Sequence, residues 1–177
     1  REARLAAIAQ ARQRLEQRQR DADLERGRDP DDKPRGGGQF KRPFGVPQDK
    51  AQENFTDPDS RIMKRAGGGF DASYNAQTAV DDQAHIIVAA ELTNNASDAG
   101  ELPTMLRAVK DNLGVLPERA LADTGYKAEA VFEALAHSGC DLVVALGRED
   151  KQVLRFDPQR SPRTAAMAAK LQTDGGK

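Results

Sequence analysis

Tryptophan is missing from the 177 residues, tyrosine occurs twice and cysteine once. A single cysteine, Cys140, excludes an internal disulfide and any cysteine-based zinc cluster. Its place after Ser138-Gly139 and before an apolar run predicts a small buried filler, not a reactive thiol. Long apolar runs are lacking too. None approaches the roughly 18–20 residues of a membrane span, and no leader pattern is visible. Charge of one sign is also lacking: the net charge is −1, so any attraction to nucleic acid must come from local patches. Hydrophobic residues make up 38% and charged ones 31%, with a mean hydropathy of −0.72. That balance is too polar for one compact domain throughout and predicts extended or disordered stretches.

What is present divides into four parts. Residues 1–26 read as a polar helix, rich in alanine, with Leu5, Ile8 and Leu15 at helical spacing and Arg12 interrupting the stripe. So narrow a stripe predicts one arm of a helical hairpin or a weak coiled coil. An arginine-rich helix touching DNA is the other reading, diluted by Glu2, Glu16, Asp21, Asp23 and Glu25. The helical pattern is already under way at Arg1, which predicts either a processed chain or, as the favoured expectation, an internal piece. Residues 27–53, with Pro30, Pro34, Gly36–Gly38, Pro43 and Pro47, predict a flexible linker. Neither Gly36–Gly38 nor Gly67–Gly69 makes a phosphate loop, since no GK[ST] follows.

From Tyr74 the pattern changes. Tyr74, Ala76, Thr78 and Val80 alternate with Asn75, Gln77 and Ala79, and Asp81-Asp82-Gln83 supplies a turn into the run Ile86-Ile87-Val88-Ala89-Ala90. This predicts an antiparallel hairpin. Ser97 or Asp98 can cap a helix to about Asn112 with Leu102, Met105, Leu106, Val109 and Leu113 on its apolar face, stopped by Gly114. A short strand over 119–122 leads to Asp123, a turn and a helix from about Lys127 to His137, and a buried strand follows over 141–146. The sum is β-β-α-β-α-β, an α/β layer arrangement. Beyond it, residues 151–177 form a basic tail in which 165–171 alone has helical character.

Asp123 is the residue most able to carry chemistry. An aspartate directly after a buried strand lies at the strand's carboxyl end, where open α/β sheets bind ligands. Its carboxylate suits Mg²⁺ if other carboxylates converge on it. It equally suits a cap or an Asx turn.

Four blocks weigh on that choice: Asn54–Lys64 (NFTDPDSRIMK), Tyr74–Asp81 (YNAQTAVD), Ile87–Asn94 (IVAAELTN) and Leu121–Tyr126 (LADTGY). In this order and spacing they resemble the IS1182-type branch of the IS4-like DDE transposases. The helix at 1–26 resembles the helical insert preceding these blocks in that branch. The resemblance implies a partial RNase H-like fold over 54–150, with the first strand and the final catalytic helix lying outside the chain. It also implies three acids, Asp, Asp and Glu, that hold two Mg²⁺ or Mn²⁺ ions acting on a DNA phosphodiester.

On this mapping Asp123 matches the second Asp, as catalytic and metal-binding residue. The first Asp belongs to an upstream D-G-T-type strand. The Glu belongs to a Y-R-E-K-type helix beyond the tail, so Glu129, Glu133 and Glu149 are expected as solvated surface. Arg61, Lys64, Arg65 and Tyr126 are candidates for contacting DNA, Tyr126 alternatively packing on the sheet edge. Asp57 and Asp59 approach the site or form turns; Asp81 belongs to the hairpin turn and Asp98 to a cap.

The implied partners are transposon-end DNA and a second copy of the enzyme, without a membrane, in a bacterial cytoplasm and on the nucleoid when DNA-bound. The alternative is an inactive remnant that only binds DNA or pairs with a full-length copy. With its first strand absent, the isolated chain is expected to be poorly stable, because the sheet loses its central ladder.

Overall fold

The computed structural model describes residues 1–31, 42–65, 67–147 and 156–173. Gly36–Gly38, Glu149 and the two ends of the expected basic tail, 151–155 and 174–177, therefore lie outside the described residues. The chain forms two compact units, Arg1–Ser73 and Tyr74–Lys177. Residues 54–73, grouped with the catalytic domain on sequence blocks, belong by packing to the first.

The first unit is built on helix α1, Glu2–Glu25. Its apolar stripe is not what it buries: Leu5 and Ile8 are exposed, while Ala11 and Asp23 are buried. The buried carboxylate of Asp23 accepts from Gln19 Nε2 at 2.9 Å and from the Gly45 amide at 2.9 Å. It also pairs with Arg28 Nη1 at 3.0 Å. Arg28 in turn donates to the Arg42 carbonyl and lies 5.9 Å from the centre of the Phe44 ring. Glu53 accepts from Arg14 at 2.6 Å and from Arg18, two arginines one helical turn apart. The described parts of the expected linker thus run back along α1, held by ion pairs where the sequence offers few apolar side chains.

The unit ends in a hairpin that the sequence pattern did not announce, β1 (Arg61–Lys64) against β2 (Phe70–Ser73). The strands are short and polar, with Met63 the buried residue of β1. Gly68 and Gly69 take φ of 92° and 82°, a left-handed turn that a side chain would strain.

In the second unit the expected order is present, in shorter elements. Strands β3 (Asn75–Val80) and β4 (Ile87–Thr93) pair antiparallel, with an irregularity at Ala79/Val80. Asp81 makes their turn by accepting from the amides of Gln83 and Ala84. A 3-10 turn, Asp98–Gly100, precedes helix α2 (Leu102–Leu113), which Gly114 closes at φ 76°. Strand β5 (Arg119–Ala122) runs parallel to β6 (Asp141–Val144), as the crossover through helix α3 (Glu129–Leu135) requires.

The core has two parts, and α2 serves both. Met105 and Val109 pack with Ala89 of the hairpin. Leu102 and Leu106 join Val131, Phe132, Val144 and Met167 around the parallel pair. Among the described residues β3–β4 and β5–β6 share no ladder, so α2 couples them through side chains alone. Cys140 packs at the edge of this core, and burial, ahead of the Asp141 charge, pushes its thiol up.

Helix α4 (Pro162–Lys170) starts earlier than the sequence predicts and belongs to the core through Met167. Its start is capped by a side chain from another helix. Glu129 accepts from the Arg163 amide at 2.7 Å, the Thr164 amide at 2.8 Å and Thr164 Oγ1 at 2.7 Å, while Glu133 pairs with Arg163 at 2.5 Å. These two glutamates, expected as solvated surface, tie α3 to α4.

Burial pushes the Glu129 carboxyl up, but the Arg163 and Thr164 donors outweigh it and hold the group below its ordinary range. A carboxyl lowered on folding stabilises above its unfolded pKa and loses that contribution as pH falls through the folded value. Acidification should therefore speed amide exchange at Arg163 and Thr164 once corrected for intrinsic rates, and Glu129→Gln should do so at neutral pH. Equal protection in the variant and the parent would show that the cap does not hold α4.

Candidate functional site

Asp123 directly follows β5 and is exposed. Its backbone is extended, and its Oδ1 accepts from the Gly125 amide at 2.7 Å, capping the 3-10 turn Thr124–Tyr126. The turn role and a ligand role are compatible, because the cap uses one oxygen.

A second carboxylate shares the place. Asp98, expected as a helix cap, does not cap α2, whose N-cap residue is Glu101 without a side-chain cap bond, while Ser97 caps the 3-10 turn. Asp98 instead accepts on Oδ1 from Asn75 Nδ2 at 2.6 Å and from Gln77 Nε2 at 2.8 Å. A Cβ added to Gly125 would lie 2.8 Å from Asp98 Oδ2 and 2.9 Å from Asp123 Oδ1. A side chain at this position would force the carboxylates to shift. Among the described residues no group of three or more His, Cys, Asp or Glu could hold a metal ion.

Tyr126 neither stands free nor merely packs: its hydroxyl donates to Gln77 Oε1. Burial, then the charges of Asp98, Asp123 and Glu101, push the phenol above its ordinary value, so it stays a donor. Gln77 was missed as a site residue. The signal was present, a long polar side chain in the same alternation as Ala79, on the face where Gln77 is buried and Ala79 packs on the core.

Beside Asp123 a cleft of about 460 Å³ opens between β3 and β5, lined among others by Val80, Leu106, Val109, Ala120 and Leu121. Among the described residues both strands have a partner on one side only.

The other candidates belong to the first unit. Arg61 Nη1 donates to the carbonyls of Pro58, Asp59 and Ser60 at 2.8–2.9 Å, and Arg65 pairs with Asp71 at 3.0 Å. Lys64 ends β1 with its side chain exposed. Asp57 lies in an Asx-type turn, its amide donating to Asn54 Oδ1 at 3.3 Å. No helix of the described residues is long and apolar enough to cross a membrane.

The family model for the transposase DDE domain matches residues 43–172. No curated protein and no solved structure matches the chain.

Proposed function

Because the chain belongs to the transposase DDE domain family, we propose that it is the central part of the catalytic domain of an IS4-like transposase of the IS1182-type branch. The reaction is metal-dependent cleavage and transfer of DNA strands, and the substrate is transposon-end DNA. The observation that carries this reading is Asp123, an exposed carboxylate at the carboxyl end of a strand, where such sheets bind ligands.

Asp123 fits one ligand position of a Mg²⁺ or Mn²⁺ ion, which takes hard oxygen donors. The described residues do not complete the set, so the reading assigns the first Asp and the Glu to chain outside them. Bound there, two ions would activate an attacking oxygen and stabilise a leaving one.

The cleft supports the same reading. In an RNase H-like sheet the strand bearing the first Asp stands between the strands here numbered β3 and β5. An extended segment inserted there would cover exposed Val80 and Leu121 and satisfy open backbone edges.

Strand cleavage tests the proposal. The full-length protein should nick end DNA with Mg²⁺, and the isolated 177-residue chain should not. Cleavage by the isolated chain would sink the three-acid reading. An intact reading frame without the flanking D-G-T-type and Y-R-E-K-type segments would favour the inert remnant.

Of the four residues assigned to DNA, Lys64 presents an exposed ammonium group. Lys64→Ala should weaken end binding to all sequences alike and reduce the salt slope by about one. A slope equal to that of the parent would remove Lys64 from the interface.

A further inference from the structure

We propose that Gln77 is a positioning residue that fixes the turn carrying Asp123, by clamping Tyr126 and Asp98 to strand β3. The inference rests on the reading of Asp123 as a catalytic ligand and adds how that ligand is held.

The geometry is a closed relay. Gln77 is 4% exposed, so its amide must be satisfied inside the protein. Both ends are: Oε1 receives the Tyr126 hydroxyl, and Nε2 donates to Asp98 Oδ1. One planar amide therefore sets two distances at once.

Tyr126 is the last residue of the turn that Asp123 caps. Asp98 opens the neighbouring 3-10 turn, and its carboxylate, like that of Asp123, lies against Gly125. Asn75, two residues along the same strand face, gives Asp98 a second donor and also binds the Asn95 carbonyl at 3.2 Å. The strand thus determines where both carboxylates stand.

The β5 ladder ends at Ala122, one residue before Asp123, so the turn beyond it is held by its side-chain bonds. A ligand must be held to within about 0.5 Å to be productive, and the Gln77 relay ties that turn to strand β3 directly. A glutamate in place of Gln77 would present oxygen to Asp98 and break the relay by like-charge repulsion. Leucine would leave the Tyr126 hydroxyl without its acceptor.

The test uses the full-length protein with Gln77→Leu and Tyr126→Phe, the second removing one hydroxyl and guarding against misfolding by the first. Hydrogen exchange should rise about tenfold in peptides covering 123–127 in both variants, with peptides covering 130–146 unchanged. Unchanged exchange over 123–127 overturns the clamp. A rise of equal size over 130–146 also overturns it, since that reports general loosening.

In the cleavage assay both variants should need about tenfold more Mg²⁺ for half-maximal rate. A metal requirement equal to that of the parent overturns the positioning role. Asp123→Ala, run alongside, judges the underlying reading separately. Cleavage by that variant defeats the catalytic assignment, and the exchange result then still decides the clamp.

Discussion

Asp123→Ala in the full-length transposase is expected to abolish strand cleavage while leaving end binding largely intact. The side chain is exposed, and its cap on the Gly125 amide is a single hydrogen bond worth about 1 kcal/mol. Loss of that bond does not unfold the second unit, whose core lies around Phe132 and Val144.

The chemical loss is larger. Stabilisation by a bound metal is worth several kcal/mol, and each 1.4 kcal/mol is a factor of ten, so a fall of about 10³-fold or more follows. Asp123→Asn keeps the shape and the cap but removes the charge, and it should be nearly as inactive. Gel-shift and cleavage assays on one end-DNA fragment separate the two effects. Normal cleavage by either variant ends the assignment.

Asp23→Ala should be the most damaging single change in the first unit. It takes the Asp23 carboxylate from buried Arg28 and the acceptor from the Gly45 amide. Breaking a buried pair from one side costs about 3–5 kcal/mol. A unit whose buried apolar residues are as small or as few as Ala11 and Met63 has little to spare.

Burial pushes the Asp23 carboxyl up, but the Gly45 amide, Gln19 and Arg28 together hold it below the usual range. Its contribution is therefore complete above the unfolded carboxyl pKa and disappears as pH falls through the lower folded value. Urea unfolding of the variant and parent at pH 7, repeated at lower pH, should show a gap that narrows with acid. A gap independent of pH would mean that the ionised carboxylate is not what holds α1 to residues 42–53.

Glu129 and Asp23 show how the sequence misleads about acids. For both, solvation is the ordinary expectation for an acidic side chain. What distinguishes them is a set of backbone amides from distant segments, at Gly45 for Asp23 and at Arg163 and Thr164 for Glu129. No local spacing encodes such partners. The hairpin of β1 and β2 escaped notice for a related reason. Its strands, RIMK and FDAS, lack an apolar alternation, and the register Arg61↔Ser73 is set by the glycine turn.

The elements of the second unit were legible because local physics specifies them. Alternation gave β3, the β-branched run gave β4, the 3.6-residue stripe gave α2, and Gly114 gave its end. These signals need only neighbours in sequence, and so does the placing of Asp123 after a strand. Convergence is different: that Gln77 reaches Tyr126 across 49 residues and that Asp98 and Asp123 both lie against Gly125 depend on how strands and turns stack. Sequence by itself determined which segments become strand or helix and which acid ends a strand. Only the tertiary structure decided which polar groups are buried together, because a hydrogen bond between distant residues follows from packing and not from spacing.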